Sequence, residues 1–373
     1  MGKFQTETYL AQIGNRTDQQ AGAINTPVYF STAFRHQEIG LAKGYDYTRT
    51  GNPTRHVLEA AVAGLELGHQ AFACSSGMSA VQLVFSLFKE GDHIIASSDL
   101  YGGSYRLFEL LSFKYSLTFS YWDGEDVEAL RSLLRRETKA VFIETPTNPL
   151  MQQTDLSKVA EITKQYHLLF IVDNTFYTPF LQRPIEEGAD IVIHSATKYL
   201  GGHNDVLAGL VIAKGEQISA DLSLLHNAIG AVLSPFDCWL LMRGIKTLAL
   251  RMKKHEENAK AVLAFLQSHP LVSEVLYPGR GGMISFRIAK ERMVAPFLKA
   301  LKLFTFAESL GGVESLITYP ATQTHADIPE EIRNEYGLCN RLIRISVGIE
   351  HAEDLIADLA QAFHIIKKRG AKS

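Results

Sequence analysis

Between about Val81 and Gly215, short apolar runs of strand character alternate with segments of helical spacing. The strand-like runs are His93-Ile-Ile-Ala-Ser97, Ala140-Val-Phe-Ile-Glu144, Leu168-Leu-Phe-Ile-Val172 and Ile191-Val-Ile-His194. They are short and bounded by turn residues, as buried strands are. Val81-Gln-Leu-Val-Phe-Ser-Leu-Phe88 and the segment from Leu156 to Tyr166 instead carry apolar residues three and four apart, the pattern of a helix burying one face. Near-continuous apolar strands need cover on both faces. The alternation therefore predicts an α/β fold, a mostly parallel, doubly wound sheet. Ligands of such sheets bind beyond the carboxyl ends of the strands, and Glu144, Asp173 and Lys198 all fall at that end.

Two of those polar endings suit one chemistry. Ile191-Val-Ile-His-Ser-Ala-Thr-Lys198 ends on a lysine among small hydroxyl residues, and Phe170-Ile-Val-Asp173 ends on a carboxylate. Pyridoxal phosphate needs an amine for its Schiff base and an anion that keeps its ring nitrogen protonated. Burial explains the apolar runs but not both endings. Ser75-Ser-Gly-Met-Ser-Ala80 leads into the Val81 helix. Gly77 there permits close backbone approach, and a helix N-terminus offers free N–H groups to a phosphate. Ser-Gly turns are also ordinary helix caps, so this signal draws its weight from Lys198 and Asp173. Neither a Walker loop nor a GxGxxG is present. Tyr101, in Asp99-Leu-Tyr-Gly-Gly103, follows a strand and can stack a flat ring on the cofactor. Asn148, in Glu144-Thr-Pro-Thr-Asn-Pro149, lies at the edge where it can hydrogen-bond cofactor or substrate. Tyr47 and Arg49 put a hydroxyl beside a guanidinium, a pairing that suits phosphate.

The rest of the chain sets bounds. Its 373 residues suffice for two domains, and a net charge of −3 gives no electrostatic case for nucleic acid or membrane. No apolar run reaches spanning length and the start lacks a signal-peptide core, so a cytoplasmic protein is expected. Cys74, Cys238 and Cys339 lie far apart without a CxxC pair, so reduced thiols and no metal site are expected. The first ~45 residues lack the strand–helix rhythm and read as an arm. Leu233-Ser-Pro235 opens a long helical stretch, Phe236 to about His269, whose Arg243, Lys246, Arg251, Lys253 and Lys254 read as a solvated face. From Val272 onward, strands such as Met283–Ile288 and Leu342–Ser346 mix with helices, which predicts a smaller α+β domain. The expected division is an arm over 1–47, a cofactor-binding α/β domain over 48–232 and an α+β domain over 233–373.

Six segments, in order along essentially the whole chain, resemble one family. They are Tyr47-x-Arg49-x-Gly-Asn-Pro-Thr54, Ser75-Ser-Gly-Met78, Glu144-Thr-Pro-x-Asn-Pro149, Val172-Asp-Asn-Thr175, Ser195-Ala-Thr-Lys198 and Ser309-Leu-Gly-Gly-Val-Glu-Ser-Leu316. Together they are similar to the Cys/Met-metabolism family of pyridoxal-phosphate enzymes. That family holds cystathionine γ-synthases, cystathionine β- and γ-lyases, methionine γ-lyases and O-acylhomoserine sulfhydrylases. The resemblance implies an aspartate-aminotransferase-like fold (fold type I) with a seven-stranded type of sheet, and a homotetramer built as a dimer of dimers. It implies Lys198 as the Schiff-base lysine, Asp173 as the pyridinium partner and Tyr101 as the stacked, catalytic ring. Gly77, Met78, Ser195 and Thr197 would hold the phosphate, with Ser76, Thr175 and Asn148 also on the cofactor. Tyr47 and Arg49 would reach the phosphate of the neighbouring subunit. Asn148, Ser309, Leu310 and Arg344 would contact the substrate, Arg344 forking onto its carboxylate.

Within the family, Asp46 and Glu308 carry the choice of branch. An acid just before Ser309 resembles the γ-synthase and γ-lyase branch, and it could attract a distal ammonium such as that of cysteine. Gly103 stands where methionine γ-lyases carry a cysteine, and Asp46 with Glu308 fits the synthases. The segment Tyr277-Pro-Gly-Arg-Gly-Gly-Met-Ile-Ser-Phe286 is shorter than in most members. Such compact members resemble bacterial γ-synthases that also act as O-acetylhomoserine thiolyases. The implied activity is γ-replacement on an O-acylhomoserine by cysteine, giving cystathionine, or by sulfide, giving homocysteine, within methionine biosynthesis. The alternatives are a lyase that cleaves cystathionine at the β or γ carbon and a pyridoxal-phosphate-binding regulator without turnover.

Overall fold

Residues 4–326 and 328–370 are described by a computed structural model; the first three residues of the expected arm lie outside them. The larger sheet has seven strands. They are β1 Gln70–Cys74, β2 His93–Ser97, β3 Thr118–Trp122, β4 Thr138–Glu144, β5 Leu169–Asp173, β6 Ile191–Ser195 and β7 Gly209–Ala213. Their order is β1-β7-β6-β5-β4-β2-β3, and β7 runs antiparallel to both neighbours while the other pairings are parallel. Alternate residues feed two apolar layers. Val141, Ile143, Phe170, Val172 and Val192 face one, and Phe142, Ile171, Ile191 and Ile193 face the other. Each such side chain, removed from water, stabilises the fold by about 1.5–3 kcal/mol. This two-sided burial is why the strands read as unbroken apolar runs.

The second sheet has five strands: β8 Val272–Leu276, β9 Met283–Ile288, β10 Thr305–Phe306, β11 Leu316–Thr318 and β12 Leu342–Ser346. Its order is β10-β11-β12-β9-β8, antiparallel except for β10 with β11. β12 is central and every one of its residues is buried. Its core is a separate cluster around Phe286, Phe297 and Phe363.

Two features differ from the sequence expectation. The long helical stretch is two helices, Pro235–Lys246 and Leu248–Ser268, hinged at Thr247. Arg243, Lys246, Lys253 and Lys254 do reach solvent, but Arg251 is 4% exposed and does not belong to a solvated face. Its guanidinium donates to Tyr199 O at 2.7 Å and Gly244 O at 2.8 Å, closing the hinge onto the segment that follows Lys198. Spacing could not separate it from its neighbours, because only the partner carbonyls draw it inward. Within the expected arm, the helix Thr6–Ala11 buries Leu10 in the larger sheet's core.

Candidate active site

β4, β5 and β6 end side by side on Glu144, Asp173 and Ser195, and Lys198 follows one turn later. These ends open into a cavity of about 230 Å³ whose far wall comes from Arg344 on β12 and from Glu308, Ser309 and Leu310 in the loop between β10 and β11. Ser76, Gly77, Met78, Tyr101, Asn148, Thr175 and Thr197 complete the gathering of expected residues around it.

Ser76 caps the helix Gly77–Phe85: its hydroxyl accepts from Ser79 N at 3.0 Å, and Ser79 Oγ accepts from Ser76 N at 2.8 Å. The helix therefore begins four residues before Val81. A Cβ on Gly77 would lie 2.8 Å from Ser195 Cβ, so only glycine lets the helix N-terminus abut the end of β6. Gly103 has a similar use, since a Cβ there would fall 2.4 Å from Tyr101 Cε1.

Asp173 is held by a relay. Ser195 N donates to Thr175 Oγ1 at 2.8 Å, and Thr175 donates both its hydroxyl, at 2.5 Å, and its N–H, at 3.0 Å, to Asp173 Oδ1. Burial nevertheless raises the Asp173 carboxyl above its usual range, with the Thr175 hydrogen bonds opposing. Glu144 is raised well above its usual range, by burial and then by the Asp173 charge, and it accepts from Tyr101 N at 2.9 Å.

Lys198 Nζ donates to Ser309 Oγ at 3.3 Å. Burial, followed by the Arg344 charge, pulls the Lys198 amine down to about 8, while Glu308 opposes that shift. A lysine so placed spends an appreciable fraction of its time neutral near pH 7, as a nucleophilic amine requires. Arg344 is 1% exposed on β12. It donates from Nη1 to Asn148 Oδ1 at 2.8 Å, and from Nη2 to Ser309 O and Thr318 Oγ1, each at 3.0 Å. Its Nε is buried without a partner. Glu308 is exposed at the cavity's edge.

Three expected residues lie elsewhere on this chain. Asp46 is exposed and pairs with His36 at 3.1 Å, Tyr47 is 49% exposed, and Arg49 donates to Asn227 Oδ1 at 2.9 Å. None of the three lines the cavity. Sequence reasoning missed Thr324, on the cavity wall, and His325 behind it. It also gave no role to His194, whose Nε2 meets Glu66 Oε1 at 2.6 Å under the sheet. A histidine inside an otherwise apolar strand was the available signal for that pair.

The donor set fits pyridoxal phosphate. The bare helix N-terminus at Gly77, with Ser76, Ser195 and Thr197, makes a phosphate seat that a Cβ would fill. A buried carboxylate, a depressed amine and a tyrosine ring beside them match the remaining parts of that cofactor.

Comparison with known proteins agrees. The model of the family described as Cys/Met metabolism PLP-dependent enzyme matches residues 7–364. A cystathionine gamma-synthase/O-acetylhomoserine (thiol)-lyase of Bacillus subtilis (strain 168) is 63% identical, covering 97% of this chain and 97% of that protein. A cystathionine gamma-synthase of Haemophilus influenzae (strain ATCC 51907 / DSM 11121 / KW20 / Rd) is 53% identical, covering 98% of this chain and 99% of that one. The crystal structure of cystathionine gamma synthase from Xanthomonas oryzae pv. oryzae in complex with aminoacrylate and cysteine superposes with a TM-score of 0.95. It shares 40% identity over 98% of this chain and 99% of that one. With a family match from near its start to near its end, the chain belongs to the Cys/Met metabolism pyridoxal-phosphate-dependent enzymes, and its fold is fold type I.

Proposed function

We propose that the chain is a transferase that replaces the γ-substituent of an O-acylhomoserine with cysteine, giving cystathionine, and also accepts sulfide, giving homocysteine. The observation that carries this reading is the meeting of a depressed lysine amine, an Arg344–Asn148 pair and an exposed acid, Glu308, around one cavity. Full-length likeness to two γ-synthases supports the same branch.

Pyridoxal phosphate, when bound, supplies an electron sink that makes protons on the substrate's Cα and Cβ acidic. Arg344 and Asn148 fix the substrate carboxylate; a guanidinium already held on three acceptors presents its fork at low entropic cost. Ser309 Oγ keeps Lys198 Nζ on the cavity side. Nζ then takes the Cα proton as general base, would hand it on to the bound cofactor, and only when neutral again takes a Cβ proton from the same position. The acyloxy group leaves Cγ, the thiol adds there, and Nζ returns the protons. Asp173 would serve as the anion for the ring nitrogen, and the Thr175 relay keeps one carboxylate oxygen fixed. Glu308 attracts the ammonium of cysteine.

We further take the enzyme to work in the cytoplasm as a dimer of dimers. Tyr47 and Arg49 would then complete a neighbour's site; their distance from this chain's cavity and the exposure of Phe30, Ile39 and Tyr47 support it. No helix of the described residues is long and apolar enough to cross a membrane.

The test is mass analysis of products from O-acetylhomoserine with cysteine, beside a reaction given cystathionine alone. Cystathionine formed in the first and intact in the second is the expected result. Pyruvate or 2-oxobutyrate from cystathionine, without synthesis, would make this a lyase.

A further inference from the structure

His325 is 1% exposed, and its Nε2 lies 3.0 Å from Asn148 O and 3.2 Å from Leu100 O. Carbonyl oxygens only accept, so Nε2 carries a hydrogen and shares it between the two. Burial pushes the ring down to about 4, so it is neutral near pH 7. Nδ1 is then an acceptor, and Thr324 Oγ1 donates to it at 2.7 Å. Three contacts thus select one tautomer. The two carbonyls belong to segments that matter: Leu100 precedes Tyr101, and Asn148 is the partner of Arg344. Thr324 O also packs against Gly102, where a Cβ would come within 2.1 Å of it. One imidazole therefore ties together the Tyr101 turn, the Asn148 turn and the loop after Pro320–Thr322.

We propose that His325 is a positioning residue for substrate recognition: by clamping the Asn148 and Leu100 carbonyls it sets the Asn148 amide and Tyr101 ring against Arg344. The proposal rests on the reading above that Arg344 and Asn148 take the substrate carboxylate. His325 itself does not line the cavity. A side chain serving only to fill the core would be replaceable by an apolar one of similar size. One serving as a donor would be replaceable only by another donor.

The experiment compares His325→Leu with His325→Gln in the holoenzyme. Glutamine restores an N–H donor at similar reach; leucine leaves two buried carbonyls without one. For His325→Leu, KM for O-acetylhomoserine rises about tenfold with kcat within about threefold, since an unmet buried acceptor disfavours the aligned turn. The affinity for glycine, an amino acid with no γ-leaving group, followed by cofactor absorbance, falls by a similar factor. His325→Gln recovers both to within about threefold, and cofactor content is equal in all three proteins. Wild-type KM and glycine affinity in a folded leucine variant would overturn the proposal, as would equal deficits in both variants. If the leucine variant does not fold, Thr324→Val removes the donor that fixes the tautomer, and about a threefold loss of glycine affinity is expected. No loss there would overturn it equally. A wild-type enzyme that makes neither cystathionine nor homocysteine would sink the proposed reaction, whereas the glycine series still judges His325.

Discussion

Gly77→Ala tests the phosphate seat directly. The added Cβ would sit 2.8 Å from Ser195 Cβ, 2.9 Å from Ser195 Oγ and 3.2 Å from Ser195 Cα, whereas ordinary contact begins near 3.4 Å. The helix must retreat by roughly half an ångström, because the obstructing atoms belong to the root of a side chain on a sheet strand. Overpacking of this kind costs about 1–3 kcal/mol, and the helix preference of alanine over glycine returns at most about 1 kcal/mol. The cofactor-free variant should therefore lose about 0–3 kcal/mol of stability. Cofactor affinity should fall further, because backbone N–H groups on a phosphate are charge-assisted bonds worth about 1.5–3 kcal/mol each. Loss of alignment at one of them predicts roughly a 10- to 100-fold weaker Kd. The assay is fluorescence titration of cofactor into stripped protein, with thermal unfolding of that same stripped protein. Gly215→Ala is the control, since nothing lies within 4 Å of a Cβ there and its cofactor affinity should stay at the wild-type value. Wild-type affinity in Gly77→Ala would refute the idea that the bare helix end is the seat.

Arg251→Met should destabilise the protein by about 1–3 kcal/mol in urea unfolding, since it leaves the Tyr199 carbonyl without its donor while Gly244 O keeps Thr247 N and Thr247 Oγ1. A loss below about 0.5 kcal/mol would return Arg251 to the solvated face. Lys198 should, in stripped protein, be half-modified by an amine-selective acylating reagent near pH 8, well before ordinary lysines near 10.5. Its folded pKa is depressed, so the unfolded chain binds more protons between pH 8 and 10.5, and stability should rise with pH across that window relative to Lys198→Met. An acylation midpoint near 10.5 would contradict the burial. Glu308→Gln should raise KM for cysteine by about three- to fivefold, an exposed charge being worth up to about 1 kcal/mol, and leave KM for sulfide nearly unchanged. Equal changes would remove Glu308 as the reason for preferring cysteine.

Much of the larger sheet was legible because its strands are buried on both faces. Ile191–Ser195 and Thr138–Glu144 could hardly be anything else, and their polar endings pointed at the site. Edge strands were less visible. β3, Thr-Phe-Ser-Tyr-Trp, buries only Ser120 and Trp122, so its composition is mixed and its apolar signal weak. The long basic stretch hid a hinge at Thr247, since neither helix ends on a glycine or proline that would have announced the break. Arg251 and His325 were illegible for a common reason. Both are polar residues whose partners are backbone carbonyls distant in the chain, and no local pattern records a carbonyl's direction. Arg344 was legible through its apolar neighbours Leu342, Ile343 and Ile345, which place it on a buried strand.

The seam along which the two sheets meet has a consequence for biosynthesis and descent. Everything that would seat the cofactor, from Ser76 to Lys198, leaves the ribosome well before Arg344 does. A nascent chain thus carries its own share of the proposed seat before it carries Arg344. With Arg344 as the proposed grip on the substrate carboxylate, that grip is complete when β12 closes into the middle of the later sheet. On that proposal, mutations in the later sheet redirect the enzyme toward a new amino acid while Lys198, Asp173 and the helix end at Gly77 stay as they are.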